Sequence, residues 1–583
     1  MSTLTSDLAD TDLVAFLVDY TKSLEDDAMD EIWPDCLTFL RDVLANPMPH
    51  RQILPALLEF TATLAEKVDN TNFGEQRRMR RDLGDLFMRL LTATFTTRPM
   101  GYFQDTSSMS IDKIPEENGS TATRSSDIVT VLVSILPKLP LILVDNDRIA
   151  NAATSISTNV IGPAFRAKAF PETVSPLLLD LIYELTRTSS LPAATKAWKR
   201  DIEAAFNDTK FFATETKLAL EKWLPVLRMW SQNDKDRMPE LLSRLSAPTT
   251  AGIMFGVGAT SARLEADRKT QLNLRRMTIL VLANPEDTYT INLGGILEKL
   301  TELLTATPAS SPSSATRADI FLLLRALVLR ISPVHLAPVW PVITAELTHA
   351  IASVLPDDGN SERYNNLSVL QACKLLDTLV TTAHDDFQLH EWLFLTDTID
   401  AVYRPALDWR PVALVDEVAE ALQERLANNA AATAASAAAD EPASASSSAV
   451  PADDGDAASS SLNSPATTTT RTTAAATTTT STTNRAATDQ GNNNSSSNNS
   501  DDENKRRSLL QPVVRAAQDA GVLGDSADAK AMAKTDFVAR VVGPFLGQLS
   551  ILAFEETYRM GWPDLEEVRA EVAGDVFDEG GIV

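Results

Sequence analysis

The sequence predicts an all-α fold: an irregular α-solenoid of HEAT/armadillo-like helical hairpins, with a long disordered insertion before the C-terminal helices. Three observations carry this reading. From the N-terminus to about Leu426 the large apolar residues recur at three- and four-residue intervals, with few alternating runs. Aromatic residues make up only 6% of the chain and glycine is scarce, a balance that suits helices better than sheets. A proline-led phrase also recurs, as Trp33-Pro34, Leu54-Pro55, Ser175-Pro176, Trp340-Pro341 and Trp562-Pro563, each followed by apolar residues. Proline is tolerated in a first helical turn, where its missing N–H would have had no partner, so each phrase reads as a helix start. Stacked hairpins use such starts, although the spacing here is too irregular to define a repeat.

In chain order, residues 1–426 read as the helical body. Ile128 to Val144 is its most lipid-like stretch, but it falls short of the roughly 20 residues that span a bilayer. It also carries Pro137, Lys138 and Pro140, so a buried helix is expected. Polar, turn-forming clusters at Gln104 to Asp127, Thr305 to Thr316 and Pro356 to Asn366 are expected as surface loops. The stripe Ile320, Leu323, Leu324, Leu327, Ile331 is joined by Phe321, Leu322, Val328 and Leu329, leaving Arg325 and Arg330 as breaks in an apolar circumference. That pattern belongs to an inner helix. Val415, Val418, Leu422 and Leu426 form one narrow stripe among Asp416, Glu417, Glu420 and Glu424, which belongs to an outer one.

Residues 427–505 read as a disordered linker of Ala, Ser, Thr and Asn, with Val450 and Leu462 its only large aliphatic residues. Too little apolar surface is present to offset a chain entropy of about 1–2 kcal/mol per residue. Its alanine-rich beginning favours prolonging the preceding helix. Helical patterning resumes over 506–577, with Phe545, Leu549 and Leu552 on one stripe and Leu565, Val568, Val572 and Val576 on another. A segment this short holds too little core to fold securely alone, so it is expected to dock back on the body, leaving 578–583 as a tail.

The 52 basic and 79 acidic residues give a net charge of −27. Such a field repels nucleic acid and anionic lipid over the molecule as a whole, so no nucleic-acid partner is expected. Any membrane contact is therefore expected to be local or mediated by partners. Cys36 and Cys373 cannot build a disulfide framework or a four-thiolate zinc site, which points to a reducing compartment. Met1 to Asp10 lacks the basic start and apolar stretch of a signal peptide, and the cytosol is the expected location.

A search for chemistry returns little. Of the five histidines, His50, His335, His349, His384 and His390, none forms a zinc-protease pair. His384-Asp385-Asp386 with His390 is the densest set of potential ligands, and a solvated interhelical turn is preferred over a metal site. Gly252-Ile-Met-Phe-Gly256-Val-Gly258 lacks the dinucleotide fingerprint and the Lys-Ser/Thr of a P-loop, and reads as a glycine-rich turn. No Gly-x-Ser-x-Gly elbow is present, and neither cysteine lies in a redox or protease signature. Cys373 shares a stripe with Leu370, Leu376 and Val380, as a small buried side chain would. Arg77, Arg78, Arg80 and Arg81 form one basic group, and Arg263, Arg268, Lys269, Arg275 and Arg276 form another. Either could meet phosphoinositide headgroups or an acidic partner, but the net charge favours solvated helical faces with salt bridges. No catalytic, cofactor-binding or metal residue is therefore assigned, no cofactor is expected, and the chain is not read as an enzyme.

One extended stretch is recognisable. Phe321-Leu-Leu-Leu-Arg325-Ala-Leu-Val-Leu-Arg330-Ile-Ser-Pro333, continuing to Trp340-Pro341-Val-Ile-Thr-Ala-Glu346-Leu347, resembles the C-terminal region of the Dopey family. So do Leu370-Gln-Ala-Cys-Lys374-Leu-Leu-Asp377, Phe387-Gln-Leu-His-Glu-Trp392, and upstream Trp198-Lys-Arg-Asp-Ile-Glu-Ala-Ala-Phe206-Asn-Asp-Thr-Lys-Phe211-Phe212. The resemblance runs from about Asp127 onward and makes the chain look like a C-terminal portion of a very large peripheral protein. It implies a non-catalytic scaffold in endosome-to-Golgi vesicle traffic, peripheral on Golgi and endosomal membranes. The implied partners are a large Arf-exchange-factor-like scaffold and a type IV P-type ATPase lipid flippase. A HEAT/armadillo adaptor in another pathway, such as nuclear transport, is the alternative, and an uncharacterised enzyme the third reading. Partner contacts are expected, if anywhere, from Arg330, Trp340 and Glu346 and from Phe387 and Trp392, with core preferred for the two tryptophans. The oligomeric state is not legible.

Overall fold

A computed structural model describes residues 10–26, 29–70, 76–97, 128–188, 192–232, 234–245, 259–305, 313–355, 363–382, 387, 414–439, 505–506, 508–524, 526–552 and 562–578. Packing divides the chain into one unit of Met1–Gln423 with Arg506–Val583 and a second of Glu424–Lys505.

The first unit is all-α, as the spacing predicts. Its helices are α1 (Asp10–Ser23), α2 (Met29–Ala45), α3 (Leu54–Asn70), α4 (Gln76–Thr97), α5 (Ile128–Ile135), α6 (Leu139–Ile142), α7 (Asn146–Ile156), α8 (Pro176–Thr188), α9 (Pro192–Asn207), α10 (Leu224–Ser231), α11 (Ala259–Ala283), α12 (Leu293–Leu304), α13 (Ser314–Arg330), α14 (Trp340–Ala352) and α15 (Asn366–Thr382). After α16 (Leu414–Ala439), which runs into the second unit, come α17 (Leu510–Asp519), α18 (Gly543–Leu552) and α19 (Leu565–Phe577). Two-residue strands β1 (Lys505–Arg506) and β2 (Trp562–Pro563) pair as a small sheet. An inner line of helices passes from α3 to α5, α8, α10, α11, α13 and α15, each packed on the next, with the other helices flanking it. This succession of packed neighbours is what makes the fold solenoid-like.

Leu54-Pro55, Ser175-Pro176 and Trp340-Pro341 do begin helices. Pro34 and Pro563 do not. Met29 is fully buried and anchors an earlier turn of α2, so Pro34 sits inside that helix at the cost of one backbone hydrogen bond. Pro563 falls in β2, and α19 starts only after Asp564, whose carboxylate accepts from the Glu567 N–H as an N-cap. Three further prolines sit within continuous helix. Pro163, Pro225 and Pro544 each follow a π-helical turn, Ser157–Ile161, Ala219–Trp223 and Val538–Val542. The wider turn relieves the clash between the proline ring and the preceding carbonyl.

Most apolar residues of the lipid-like stretch are buried, Val144 being exposed, but Pro137 and Pro140 break it into α5, a short 3₁₀ turn and α6. No helix among the described residues is long and apolar enough to cross a membrane. α13 is the inner helix expected, with every residue from Ala315 to Val328 buried. That burial includes Arg325, which the sequence marks as a break in the apolar surface. The loop expected through Thr316 ends earlier, because the Ser313 hydroxyl accepts from the Thr316 N–H and starts α13 there. On α16, Val415, Val418 and Leu422 are buried while Glu417 and Glu420 are exposed. In the second unit α16 continues through the alanines to Ala439, and the expected disorder over 440–504 lies outside the described residues. The expected loop at Gln104–Asp127 lies outside them too.

Candidate functional site

The polar chemistry of the first unit is concentrated where α19 lies against α11 and α13. An amphipathic helix with acidic residues one turn apart, Glu571 and Asp575, places both carboxylates on one face. That face meets Arg325, whose side chain is fully buried on α13. Its guanidinium contacts Glu571 at 3.2 Å and Asp575 at 2.6 Å, and donates to Thr378 and Gln371 of α15 at 3.3 and 3.4 Å. Lys374 of α15 bonds to the other Asp575 oxygen. Two cations and two carboxylates thus close a neutral group, the condition under which charge is tolerated in an interior. Burial alone would raise Asp575, but Lys374 and Arg325 hold its carboxyl below its ordinary range. Burial would lower Arg325, and the charges of Glu571 and Asp575 carry it the other way.

The end of α19 is held separately. Arg275 of α11 pairs with Asp319 of α13 at 2.9 Å and donates to the carbonyls of Val576 and Asp578 at 2.8 and 2.7 Å. A buried cation there satisfies the helix's last carbonyls and opposes its dipole. Burial outweighs Arg275 at Asp319 and pushes that carboxyl up to about 6. Phe577 packs against Phe211 and Phe212, with ring centroids 5.7 and 6.1 Å away. At the start of α19, Arg569 donates to the Leu282 carbonyl at 3.1 Å.

The other returning elements are tied to α15 and its neighbours by a few side-chain hydrogen bonds. Asn366 donates to the carbonyls of Ala529 and Met532, which end the short helix Ser526–Ala531. Lys534 donates to the Ser353 carbonyl. Asp377 accepts from the Ser508 hydroxyl and from the Leu509 N–H ahead of α17. Burial raises its carboxyl to about 6 against those bonds. Chemically, these groups fix helices in place. Each displaced carboxyl faces a structural partner within the packed interior.

The residues named from sequence are placed as follows. Trp340 is 4% exposed, stacked on Phe387 at 6.1 Å, and Phe387 is 2% exposed. Glu346 is buried, paired with Arg317 at 3.0 Å and accepting from the Tyr364 hydroxyl at 2.7 Å. These three side chains are interior. Arg330 is half-buried and donates to the Asn284 carbonyl, closing the turn after α11. Trp392 lies outside the described residues, as do His384-Asp385-Asp386, His390 and Gly252–Gly258. Among the described residues no group of three or more His, Cys, Asp or Glu could hold a metal. The second basic group is not one surface: Arg275 and Arg276 are buried, and Arg276 donates to the carbonyls of Phe206 and Asn207 at the end of α9. In the first group Arg80 donates to the carbonyls of Pro140 and Leu141. Sequence reasoning marked Arg325 only as a break in the apolar surface and gave no role to Lys374, Glu571 or Asp575; an arginine within the apolar run Ile320–Val328 and an i, i+4 acidic pair on a late helix were the signals available.

A cleft of about 640 Å³ is lined by Pro171, Glu172, Pro176, Glu215, Lys217 and Lys222 among others, none of them a member of the Arg325 cluster. Exposed large apolar side chains include Leu13, Phe16 and Tyr20 on α1, with the last two stacked, Ile291 in the 3₁₀ helix Thr290–Asn292 and Val334 in the short helix Pro333–Leu336.

The model of the family described as DOP1 C-terminal matches residues 16–455. The chain belongs to the DOP1, or Dopey, family. It is 42% identical to "Protein dop1" of Emericella nidulans over 581 residues, covering 99% of this chain and 27% of that protein. It is 26% identical to "Protein DOP1" of Saccharomyces cerevisiae over 423 residues, covering 71% of this chain and 23% of that one. "Protein pad-1" of Caenorhabditis elegans is 30% identical over 227 residues, 36% of this chain and 9% of the relative. The chain therefore spans about a quarter of the length of the first two DOP1 relatives. The family match begins well upstream of Asp127, so α1–α4 belong to the DOP1 region as well. The resemblance read from sequence rests on extended runs between Trp198 and Trp392, and no such run is recognised in the N-terminal helices. No solved structure matches the chain significantly.

Proposed function

We propose that this DOP1-family chain is a non-catalytic scaffold in endosome-to-Golgi vesicle traffic, peripheral on Golgi and endosomal membranes. In this reading it assembles with an Arf-exchange-factor-like scaffold and a type IV P-type ATPase flippase. The observation that carries the proposal is the family match over residues 16–455. The geometry is compatible with it: the displaced carboxyls at Asp319, Asp377 and Asp575 serve helix packing, and extended helical arrays offer broad surfaces for protein partners. With three of the five expected contact residues interior, the exposed apolar residues Phe16, Tyr20, Ile291 and Val334 are the stronger candidates for contact.

Affinity purification of the tagged chain from a cell of its own type tests the proposal. Enrichment of an Arf exchange factor or a P-type flippase is the expected result, reduced by Phe16→Ser with Ile291→Ser. Recovery of neither, with the chain folded by circular dichroism, overturns the partner assignment.

A further inference from the structure

We propose that Ser508 is a phosphorylation site for a protein kinase directed to basic sequences, and that its phosphate ester releases α17 from α15. Ser508 follows Lys505-Arg506-Arg507 and precedes two leucines, in a stretch that is otherwise acidic, Asp501-Asp502-Glu503. Basic side chains one to three positions before a serine pair with the acidic substrate groove of such kinases, by the same charge-assisted bonding that orders phosphosites.

The geometry supplies the consequence. The Ser508 hydroxyl donates to Asp377 at 2.5 Å and accepts from the Gln511 N–H at 2.9 Å, so one side chain both ties α17 to α15 and caps its first turn. Asp377 is buried and also accepts from the Leu509 N–H at 2.8 Å. An oxygen-to-oxygen distance of 2.5 Å leaves no room for a phosphorus atom and its three oxygens. The ester would add a charge of about −1.5 to −2 beside a buried carboxylate. A phosphate at a helix N-terminus is favourable where it meets free N–H groups. Here Asp377 already accepts the Leu509 N–H, so the two anions compete for one position. Glu571 lies close enough to add to the negative field at Asp377. Separation of the two elements is the remaining outcome, and it uncovers the face of α17 that carries Leu510, Val513 and Ala517.

The reaction requires ATP as co-substrate. Ser508 Oγ attacks the γ-phosphorus, the bond from that phosphorus to the β–γ bridging oxygen breaks, ADP leaves, and the hydroxyl proton passes to the kinase's catalytic carboxylate. Ser508 is half-buried and Arg506 lies in β1, donating to the Thr381 carbonyl, so the kinase takes the segment when β1 and the start of α17 open together.

The test treats the intact chain with ATP and the catalytic subunit of cyclic-AMP-dependent kinase, maps phosphate by mass spectrometry, and follows amide hydrogen exchange. Phosphate on Ser508 is expected, with α17 amides exchanging at least tenfold faster and α11 and α13 unchanged. Phosphatase should restore the slow rates, and a Ser508→Ala chain should show no kinase-dependent change relative to its own untreated rate. Absence of phosphate at Ser508 in the native chain, or a stoichiometrically phosphorylated chain with α17 exchange unaltered, overturns the proposal. The phosphatase comparison uses the wild-type chain alone, so the conclusion stands even where the alanine variant folds poorly.

Discussion

Replacing Arg325 by methionine is the sharpest perturbation of the ionic cluster. Methionine keeps most of the length of the side chain and removes the charge, so packing on α13 changes little while Glu571 and Asp575 lose one of the two cations they share. Removing one partner of a buried pair costs about 3–5 kcal/mol, because the remaining charge stays desolvated. Lys374 still holds one oxygen of Asp575, which places the expected loss near the low end, about 3 kcal/mol. That corresponds to roughly a hundredfold rise in the population with α19 open. In a chain this long a single global unfolding energy is not well defined, so native-state hydrogen exchange read on α19 is the suitable assay. A companion chain, Arg325→Met with Asp575→Leu, removes both signs and is expected to recover most of the loss, since apolar replacement of a buried pair is often close to neutral. If Arg325→Met accelerates α19 exchange less than fivefold, or if α1–α4 loosen as much as α19, the cluster is not what holds α19 down.

Three further outcomes follow from the same geometry. Phe577→Ala removes a ring packed on Phe211 and Phe212 and should cost about 3–5 kcal/mol, read as faster exchange in α19 and a lower thermal midpoint; retention of both would show that the aromatic cluster closes without it. Burial, aided by the charge of Asp377, pushes the Cys373 thiol up to about 12, so alkylation at pH 8 should wait on unfolding, and rapid labelling of the native chain would contradict the placement. Asp319 is pushed up to about 6, above its unfolded value near 3.9, so between these pH values the folded state binds more protons than the unfolded one. Stability contributed there rises as pH falls from about 6 toward 4, and Asp319→Asn should flatten that part of the urea-midpoint profile. Asp575 acts in the opposite sense: its carboxyl is held low, so its contribution persists down to the ordinary aspartate range and is lost only below it.

Helical class was legible because burial of one helix face imposes a period on the sequence, and that period survives without any knowledge of neighbours. The inner position of α13 was legible for the same reason, since nine large apolar residues surround it. The proline phrases were a weaker guide. Proline fixes its own φ, which both a first turn and a π-widened interior accept, so Pro55, which opens a helix, and Pro163 and Pro544, which follow π turns inside one, look alike in sequence and differ in place. Contact residues were the least legible. Trp340 and Phe387 are large and recognisable, and those properties mark a core stack as readily as an exposed anchor.

By itself, the sequence determined the all-α class, the inner helix around Leu323 and the kinship with the Dopey family, because each depends on local periodicity or on an extended run of residues. The tertiary structure alone decided that Arg325 is an interior cation. A guanidinium on an apolar helix has no place in the core until two carboxylates arrive. Those come from Glu571 and Asp575, the latter 250 positions further along the chain. Periodicity within one helix carries no information about charges supplied by another, so the pairing existed only once α19 lay across α13.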